Sequence, residues 1–135
     1  MANVLFDPGR EGILDDTIEM STADVRVMLV KSAYTFSAAH KFLSDITAGN
    51  DNGRSATLGS KTFASGVFDA ADTTITATAA AACNAIILFV HTGVDATARV
   101  IAYEDTPASG LPFTPAASQV CPVTWDNGAN KIFKL

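Results

Sequence analysis

The apolar run at residues 85–90 constrains the fold more than any other feature of this sequence. All six residues are apolar, so a strand formed by them presents apolar side chains on both faces. The run is the longest in the chain, and it is far shorter than the roughly 20 residues of a membrane-spanning helix. It therefore predicts a central strand covered on both sides, and no membrane partner is expected.

Other strand-forming stretches recur at spacings near ten residues, separated by turn-forming residues. The predicted strands are residues 24–31, 62–68, 73–78, 85–90, 98–104, 119–125 and 131–135. Strands and helices do not alternate regularly, so a doubly wound parallel sheet is not expected. The pattern predicts a mostly-β protein, a single-domain antiparallel β-sandwich of jelly-roll-like or immunoglobulin-like type. The length of 135 residues agrees with one domain, 1–135.

A first short helix is predicted near the start of the chain. Asp7 can cap the free amides and Pro8 fits the first helical turn. Ile13 and Leu14 are expected to pin this helix to the body, and the acidic pair at 15–16 to end it. Residues 1–23 are interpreted either as an N-terminal arm that reaches a neighbour or as a short helix that closes one end of the sandwich.

A second helix of two to three turns is predicted over residues 37–46, within or next to the N-terminal third. Ser37 is a plausible N-cap, and apolar residues follow at near-helical spacing. Residues 47–60 are rich in glycine and asparagine, which favours a mobile loop or hairpin tip. Residues 79–82 are four alanines, and their interpretation stays open between a helix and a connection.

Glycine and proline predict bulges, strand edges or turns in four further segments. Gly66 within the strand 62–68 suggests a β-bulge or a close backbone approach, and Pro122 suggests an edge strand. Prolines and a glycine between 107 and 115 are expected to break regular structure. The Asp-Asn-Gly sequence at 126–128 predicts a reversal after which residues 131–135 pair back as the last strand.

Charge and motifs exclude several classes of function. The net charge of −5 and the pI of about 4.7 do not fit a protein that binds nucleic acid through phosphate neutralisation. His40 and His91 lack the spacing of metal ligands, and residues 50–53 resemble only half of a calcium loop. Ser65 is not in a nucleophile elbow, and no glycine-rich phosphate loop is present. We therefore predict no catalytic, metal or cofactor-binding residues and no enzymatic activity.

The remaining acids and both cysteines have simpler interpretations. Asp15 with Asp16, and Asp69 with Asp72, are expected to be solvated turn residues. Cys83 and Cys121 are interpreted as two free core thiols, although a disulfide between them stays open. The N-terminal residues lack a basic region followed by an apolar stretch, so no signal peptide is expected.

The aromatic residues allow one binding hypothesis. Trp125, Tyr34, Tyr103 and eight phenylalanines could form a platform for a sugar. Phenylalanine predominates over the amphipathic aromatics, which favours core filling. A carbohydrate-binding module would require an exposed Trp125 beside polar side chains.

Several segments together resemble a known group of proteins. They are residues 3–7 with Arg10 and Glu11, residues 24–30, 42–46, 66–72 and 110–115, and the C-terminal sequence VTWDNGANKIFKL at 123–135. These segments are similar to small virion structural proteins of tailed bacteriophages, found among head and decoration proteins. The resemblance covers most of the chain, and its C-terminal part is the most specific.

The resemblance implies a non-enzymatic protein that coats or reinforces the phage head. Its expected partner is the major capsid protein, and the expected location is the outside of the virion head after assembly in the host cytoplasm. A homo-oligomer, a trimer or a dimer, is also expected. A neck or tail component is the alternative within the same class, and a carbohydrate-binding module displayed on the virion is the alternative outside it.

Overall fold

The computed structural model describes residues 4–46, 48–105, 111 and 114–135. These residues form ten β-strands, one α-helix and two 3-10 helices. The main elements are β1 (Val4–Leu5), α1 (Asp7–Leu14), β2 (Val25–Lys31), β3 (Asp51–Arg54), β4 (Thr62–Ala64), β5 (Val67–Asp69), β6 (Thr73–Thr76), β7 (Cys83–Val90), β8 (Val100–Glu104), β9 (Val120–Val123) and β10 (Phe133–Lys134). All strand pairs are antiparallel, so the predicted mostly-β, antiparallel fold is confirmed.

The strands form three sheets around a sandwich-like core. A five-stranded sheet has the order β1-β8-β7-β2-β3, a three-stranded sheet has the order β10-β5-β4, and β6 pairs with β9. Strand β7 lies in the middle of the largest sheet, as the apolar run predicts. Because its residues alternate in direction, Ile86 and Leu88 face one apolar cluster while Ile87 and Phe89 face another.

The two faces of the large sheet are covered by different parts of the chain. The two smaller sheets cover one face, where Ile75 and Phe68 pack against residues of β2 and β7. Phe6, Tyr34 and Leu43 cover the other face. Both faces of β2 are therefore covered, which accounts for the apolar residues on both of them.

Helix α1 is confirmed, and of its two predicted anchors Ile13 packs against the core whereas Leu14 does not. The N-cap residue is Phe6, and Asp7 is the first helical residue without a side-chain cap bond. Leu14 is 83% exposed, whereas Gly9 and Gly12 are buried against the body. A Cβ on Gly9 would lie 2.7 Å from the carbonyl oxygen of Ile101, so a glycine is needed for helix and strand to approach this closely. Within 4–23, the structure agrees with the short-helix interpretation, since α1 packs on β8.

The second predicted helix, over residues 37–46, is wrong. Only Leu43–Asp45 forms a 3-10 turn, and Phe42 is extended and bridges to Arg99. The amide of Leu43 donates to the carbonyl of Ala98 at 2.9 Å. The Asp45 carboxylate accepts from the amides of Lys41 and Phe42 at 2.7 and 2.9 Å. These partners occupy the backbone groups that a helix would use, so tertiary contacts override the apolar spacing.

Two predicted single elements are divided or replaced in the structure. Residues 62–68 form two strands joined at Ser65 and Gly66, whose φ angles of 54° and 78° make a tight hairpin turn instead of a bulge. Within residues 47–60, the expected mobile loop contains the edge strand β3, which pairs with β2. Glycine and asparagine therefore marked a strand with unusual backbone geometry at Gly53, where φ is 123°.

The remaining strand predictions are mostly confirmed. Residues 79–82 form a connection without helix, and β9 with its Pro122 lies at an edge in a two-stranded sheet. The last strand does not pair back on its predecessor as predicted, because β10 pairs with β5. Of the proline-rich stretch 107–115, residues 107–110 and 112–113 lie outside the described residues.

Asn52 holds the edge strand β3 to the connection before β7. Its side-chain nitrogen donates to the Ala79 carbonyl at 3.2 Å and to the Cys83 sulfur at 3.1 Å. Its side-chain oxygen accepts from the Ala79 amide at 2.9 Å and the Thr78 hydroxyl at 3.1 Å. Asn52 is fully buried, so these bonds replace water completely.

We expect Asn52→Ala to lower the free energy of unfolding by about 2 to 3 kcal/mol, because it removes four hydrogen bonds of a buried side chain, leaves the part-buried Ala79 amide without its partner and opens a small cavity. Urea denaturation followed by circular dichroism measures the change. Asn127→Ala, at an exposed turn residue, is the matched control and should change stability by less than about 0.5 kcal/mol. Equal effects of the two substitutions would contradict a role for the Asn52 network.

Candidate functional site

The residues considered for metal chemistry are not brought together. Among residues 4–46, 48–105, 111 and 114–135, no cluster of three or more histidine, cysteine or acidic residues could hold a metal ion. The half calcium loop is used structurally, since Asp51 accepts from Arg54 and from the Gly53 amide, both at 2.9 Å. His40 contacts the Tyr34 hydroxyl through Nδ1 at 2.8 Å, away from His91.

Both cysteines are free and buried, as the core-thiol interpretation predicts. The Cys83 thiol lies within hydrogen-bond distance of the Asn52 side chain and the Ala81 carbonyl oxygen. Burial raises the pKa of both thiols, so both are less reactive than an exposed cysteine.

Trp125 does not offer its ring to solvent. Its side chain is 3% exposed, and its indole nitrogen donates to the Ala71 carbonyl at 3.1 Å. The Trp125 amide also donates to the Asp72 carboxylate at 3.0 Å. Asp72 therefore shapes the corner before β6, and the exposed tryptophan that a sugar platform would require is missing at this position.

An apolar groove lies along the β4–β5 hairpin, and we call it the hairpin groove. It has a volume of about 240 Å³ and is lined by side chains that include Ile13, Met20, Phe63, Val67, Phe133 and Leu135. Phe63 is 51% exposed and Leu135 58% exposed. No charged side chain lines this groove, which distinguishes it from the acidic remainder of the protein.

The edge position of β4 explains why Phe63 is exposed. Phe63 and Phe68 are directly paired across β4 and β5, and their ring centroids are 5.6 Å apart. Phe68 is buried and continues the ring contact to Phe133 at 5.2 Å, whereas Phe63 lies on the outer strand of the sheet. One aromatic therefore fills the core and the other extends the same apolar surface to solvent.

The opposite wall of the hairpin groove is held in place by Lys61. Its ammonium group donates to the carbonyls of Met20 and Ala23 at 2.9 and 2.7 Å. The amide of Leu135 donates to the Gly66 carbonyl at 2.9 Å. A side-chain bond from Lys61 and a backbone bond of Leu135 thus fix two parts of the groove, so its shape is largely formed before any partner binds.

A second, polar cavity of about 400 Å³ lies at the other side of β10, and we call it the Glu104 cavity. Glu104, Arg10, Asp126, Asn130, Lys131 and Lys134 line it together with apolar residues of β1 and β10. Glu104 is 1% exposed, and its Oε1 atom has no hydrogen-bond partner in the described part of the chain. Burial raises the pKa of Glu104 to about 8, so its carboxyl group is mostly protonated at neutral pH.

Neither the burial of Glu104 nor the hairpin groove is predicted from the sequence. Glu104 ends a strand of otherwise apolar residues, all of them buried, and this pattern was the available signal for a buried acid. Glu104 and Asp126 are two carboxyl groups that line one cavity, a pairing that their sequence separation hides. The expectation that the protein is not an enzyme stays a prediction.

Comparison with known proteins does not identify a family or a function for this chain. No helix in the described part of the chain is long and apolar enough to cross a membrane. No protein-family model matches the sequence, and neither a curated protein nor a solved structure matches it significantly.

Proposed function

We propose that this chain is a structural protein of a tailed-phage virion, a decoration protein that binds the outer surface of the major capsid protein lattice and stabilises the head. The partner class comes from the sequence resemblance. The observation that carries the proposal is the hairpin groove, an apolar surface with a half-exposed phenylalanine on an otherwise acidic protein. Exposed apolar surface of this kind is typical of protein–protein contacts.

Two of the segments that carry the resemblance contribute to the hairpin groove, which supports its role as the contact surface. Residues 66–72 and 123–135 include β5 and β10, which are neighbours in the three-stranded sheet. Val67 and Leu135 from these segments line the hairpin groove. The most specific part of the resemblance therefore contributes Phe133 and Leu135 to the lining of the hairpin groove.

The charge distribution supports the outer face of the shell. The net charge of −5 would be repelled by packaged DNA on the inner face. In the expected dimer or trimer, several copies of the groove would contact the lattice at once, so a groove of modest size is sufficient. A neck or tail position is the alternative, with the same contact chemistry at far fewer sites.

Copy number in purified virions tests the assignment. Quantitative mass spectrometry would give the ratio of this protein to the major capsid protein. We expect hundreds of copies in a simple ratio to the shell subunit. A dozen copies or fewer would assign the protein to the neck or tail, and absence from virions would overturn the structural role.

The groove itself is tested by Phe63→Ser. We expect about tenfold weaker binding to capsids that lack the protein, because a central aromatic contact is worth at least about 1.4 kcal/mol. Cosedimentation with such capsids measures the affinity. Val94→Ser removes a residue of similar exposure, 57%, outside the groove, and should leave binding unchanged. Unchanged binding of both variants would show that another surface contacts the capsid.

The expected dimer or trimer is a separate part of the proposal. Analytical ultracentrifugation of the purified protein would give its mass relative to the 14.0 kDa chain. A mass two or three times that value would support a homo-oligomer. A monomer at all concentrations would contradict a dimer or trimer of the free protein.

A further inference from the structure

The Glu104 cavity contains polar groups that no contact within the protein uses. Glu104 is almost fully buried, yet its Oε1 atom has no hydrogen-bond partner among the residues that the structure describes. A buried polar atom without a partner is rare in folded proteins and costs free energy. Because the same side chain lines a cavity of about 400 Å³, a bound molecule could supply the missing partner.

The charged groups that share this cavity indicate the sign of that molecule. Arg10 reaches the cavity from α1, and Lys131 and Lys134 reach it from the C-terminal segment. Within the described residues, Arg10 and Lys134 form no ion pair, and Lys131 has only a 4.0 Å contact with Asp69. Three cationic side chains therefore line one cavity of an acidic protein, and two of them form no ion pair within the described residues.

The acidic groups at the cavity do not cancel this positive charge. Asp126 supplies the one other carboxyl group among the lining residues, against three cationic side chains, and it accepts a hydrogen bond from the Gly128 amide at 3.1 Å. Glu104 is held mostly in its neutral form by burial, and a neutral carboxyl group can donate a hydrogen bond. The neighbouring strands add no charge around Glu104. Ile86 of β7 is its cross-strand neighbour, and β1 contributes the apolar residues Val4 and Leu5 to the cavity.

We propose that the Glu104 cavity binds a small organic carboxylate, whose oxygens accept hydrogen bonds from the neutral carboxyl group of Glu104 and from Arg10 and Lys134. The apolar part of the ligand would contact Leu5 and Phe133. This site lies outside the hairpin groove except for the shared Phe133, and it does not depend on the proposed role in a virion.

Binding is tested by titrating the protein with benzoate and following its amide signals by NMR at pH 6. We expect saturable shifts at Ala102, Glu104 and Ile132, which surround the cavity. Benzyl alcohol has the same ring without the charge and should bind at least about tenfold more weakly. Absence of saturable shifts, or equal binding of benzyl alcohol, would overturn the proposal. Tighter binding of inorganic phosphate than of benzoate would also overturn the choice of a carboxylate.

Matched substitutions test the residues. Lys134→Gln and Arg10→Gln should each weaken benzoate binding by about threefold to tenfold, through loss of one charge-assisted hydrogen bond. Lys41→Gln removes an exposed cation that does not line the cavity, so it should leave binding unchanged. Lys134 is exposed, and its substitution tests the site even if changes at more buried positions impair folding. Equal loss in the Lys41 variant would indicate a nonspecific charge effect and contradict the site.

The pH dependence tests the donor role of Glu104. Raising the pH from 6 to 9 removes the Glu104 proton, so we expect benzoate to bind about tenfold more weakly in the unmodified protein. Glu104→Gln keeps a neutral donor and should bind with little change between these pH values. If the variant loses affinity at pH 9 as much as the unmodified protein does, Glu104 is not the donor.

Discussion

Gly53→Ala is expected to lower the free energy of unfolding by about 3 to 5 kcal/mol. Gly53 lies in the edge strand β3 with φ at 123°, a conformation that side-chain-bearing residues rarely adopt. A Cβ at this position would also overlap the carbonyl oxygen of Thr76 and lie 3.0 Å from the Ile75 side chain. Backbone strain and overpacking each contribute about 1 to 3 kcal/mol. Together they would separate β3 from β6.

Urea denaturation measures this effect as a lower midpoint with an unchanged slope. Gly59→Ala is the matched control, because a Cβ there meets nothing within 4 Å and the backbone needs no positive φ. We expect the control to change stability by less than about 0.5 kcal/mol. A small loss in both variants would show that β3 can shift away from β6 at little cost.

The second large effect is a fall in stability of about 3 kcal/mol between pH 5.5 and pH 8.5, caused by Glu104. Burial raises the pKa of Glu104 from 4.5 to about 8 in the folded protein. Between these values the folded state binds a proton that the unfolded state has released. Stability due to this proton is complete below pH 4.5 and is lost as the pH rises toward 8. Glu104→Gln has no proton to lose, so its stability should stay nearly constant across this range.

Urea denaturation at a series of pH values measures both curves. The pKa values of Asp24, Asp45 and Asp95 are lowered by their hydrogen bonds, so these carboxyl groups titrate below the range in question. Burial raises the pKa of both cysteines, which moves their titration above it. Parallel curves for the unmodified protein and the Gln variant would contradict the assignment of the effect to Glu104.

The local pattern of apolar residues predicts the strands correctly where local and tertiary preferences agree. Strands β2 and β7 have apolar residues on both faces, and both lie in the interior of the five-stranded sheet. The apolar spacing in 37–46 was misleading, because the amide of Leu43 bonds to Ala98, a partner that sequence spacing cannot reveal. At Ser65 and Gly66, a short hairpin turn has the same glycine signature as a bulge, and only the pairing of β4 with β5 distinguishes them.

The hairpin groove and the Glu104 cavity could not be predicted from the sequence, because both depend on contacts between distant segments. The hairpin groove brings Met20, Phe63 and Leu135 together from three distant parts of the chain. Each looks like an ordinary apolar residue until the sheet places it at the surface. Glu104 was read as the end of a strand, and its burial depends on how the C-terminal segment returns beside β1 and β8. Pattern predicts which residues form strands, whereas the neighbours of a strand end depend on the complete topology.

The strand pairing also bears on how the chain is synthesised and folds. Val4 pairs with Tyr103, and Phe133 pairs with Phe68, so both pairings join residues that leave the ribosome far apart in time. The first strand must wait for β8 before it has a partner, and the hairpin sheet gains its third strand only after β10 emerges. Folds dominated by such distant contacts form in milliseconds to seconds and expose unpaired strand edges meanwhile. We therefore expect nascent chains that end before β10 to be prone to aggregation, with Phe63 and Phe68 at the exposed edge.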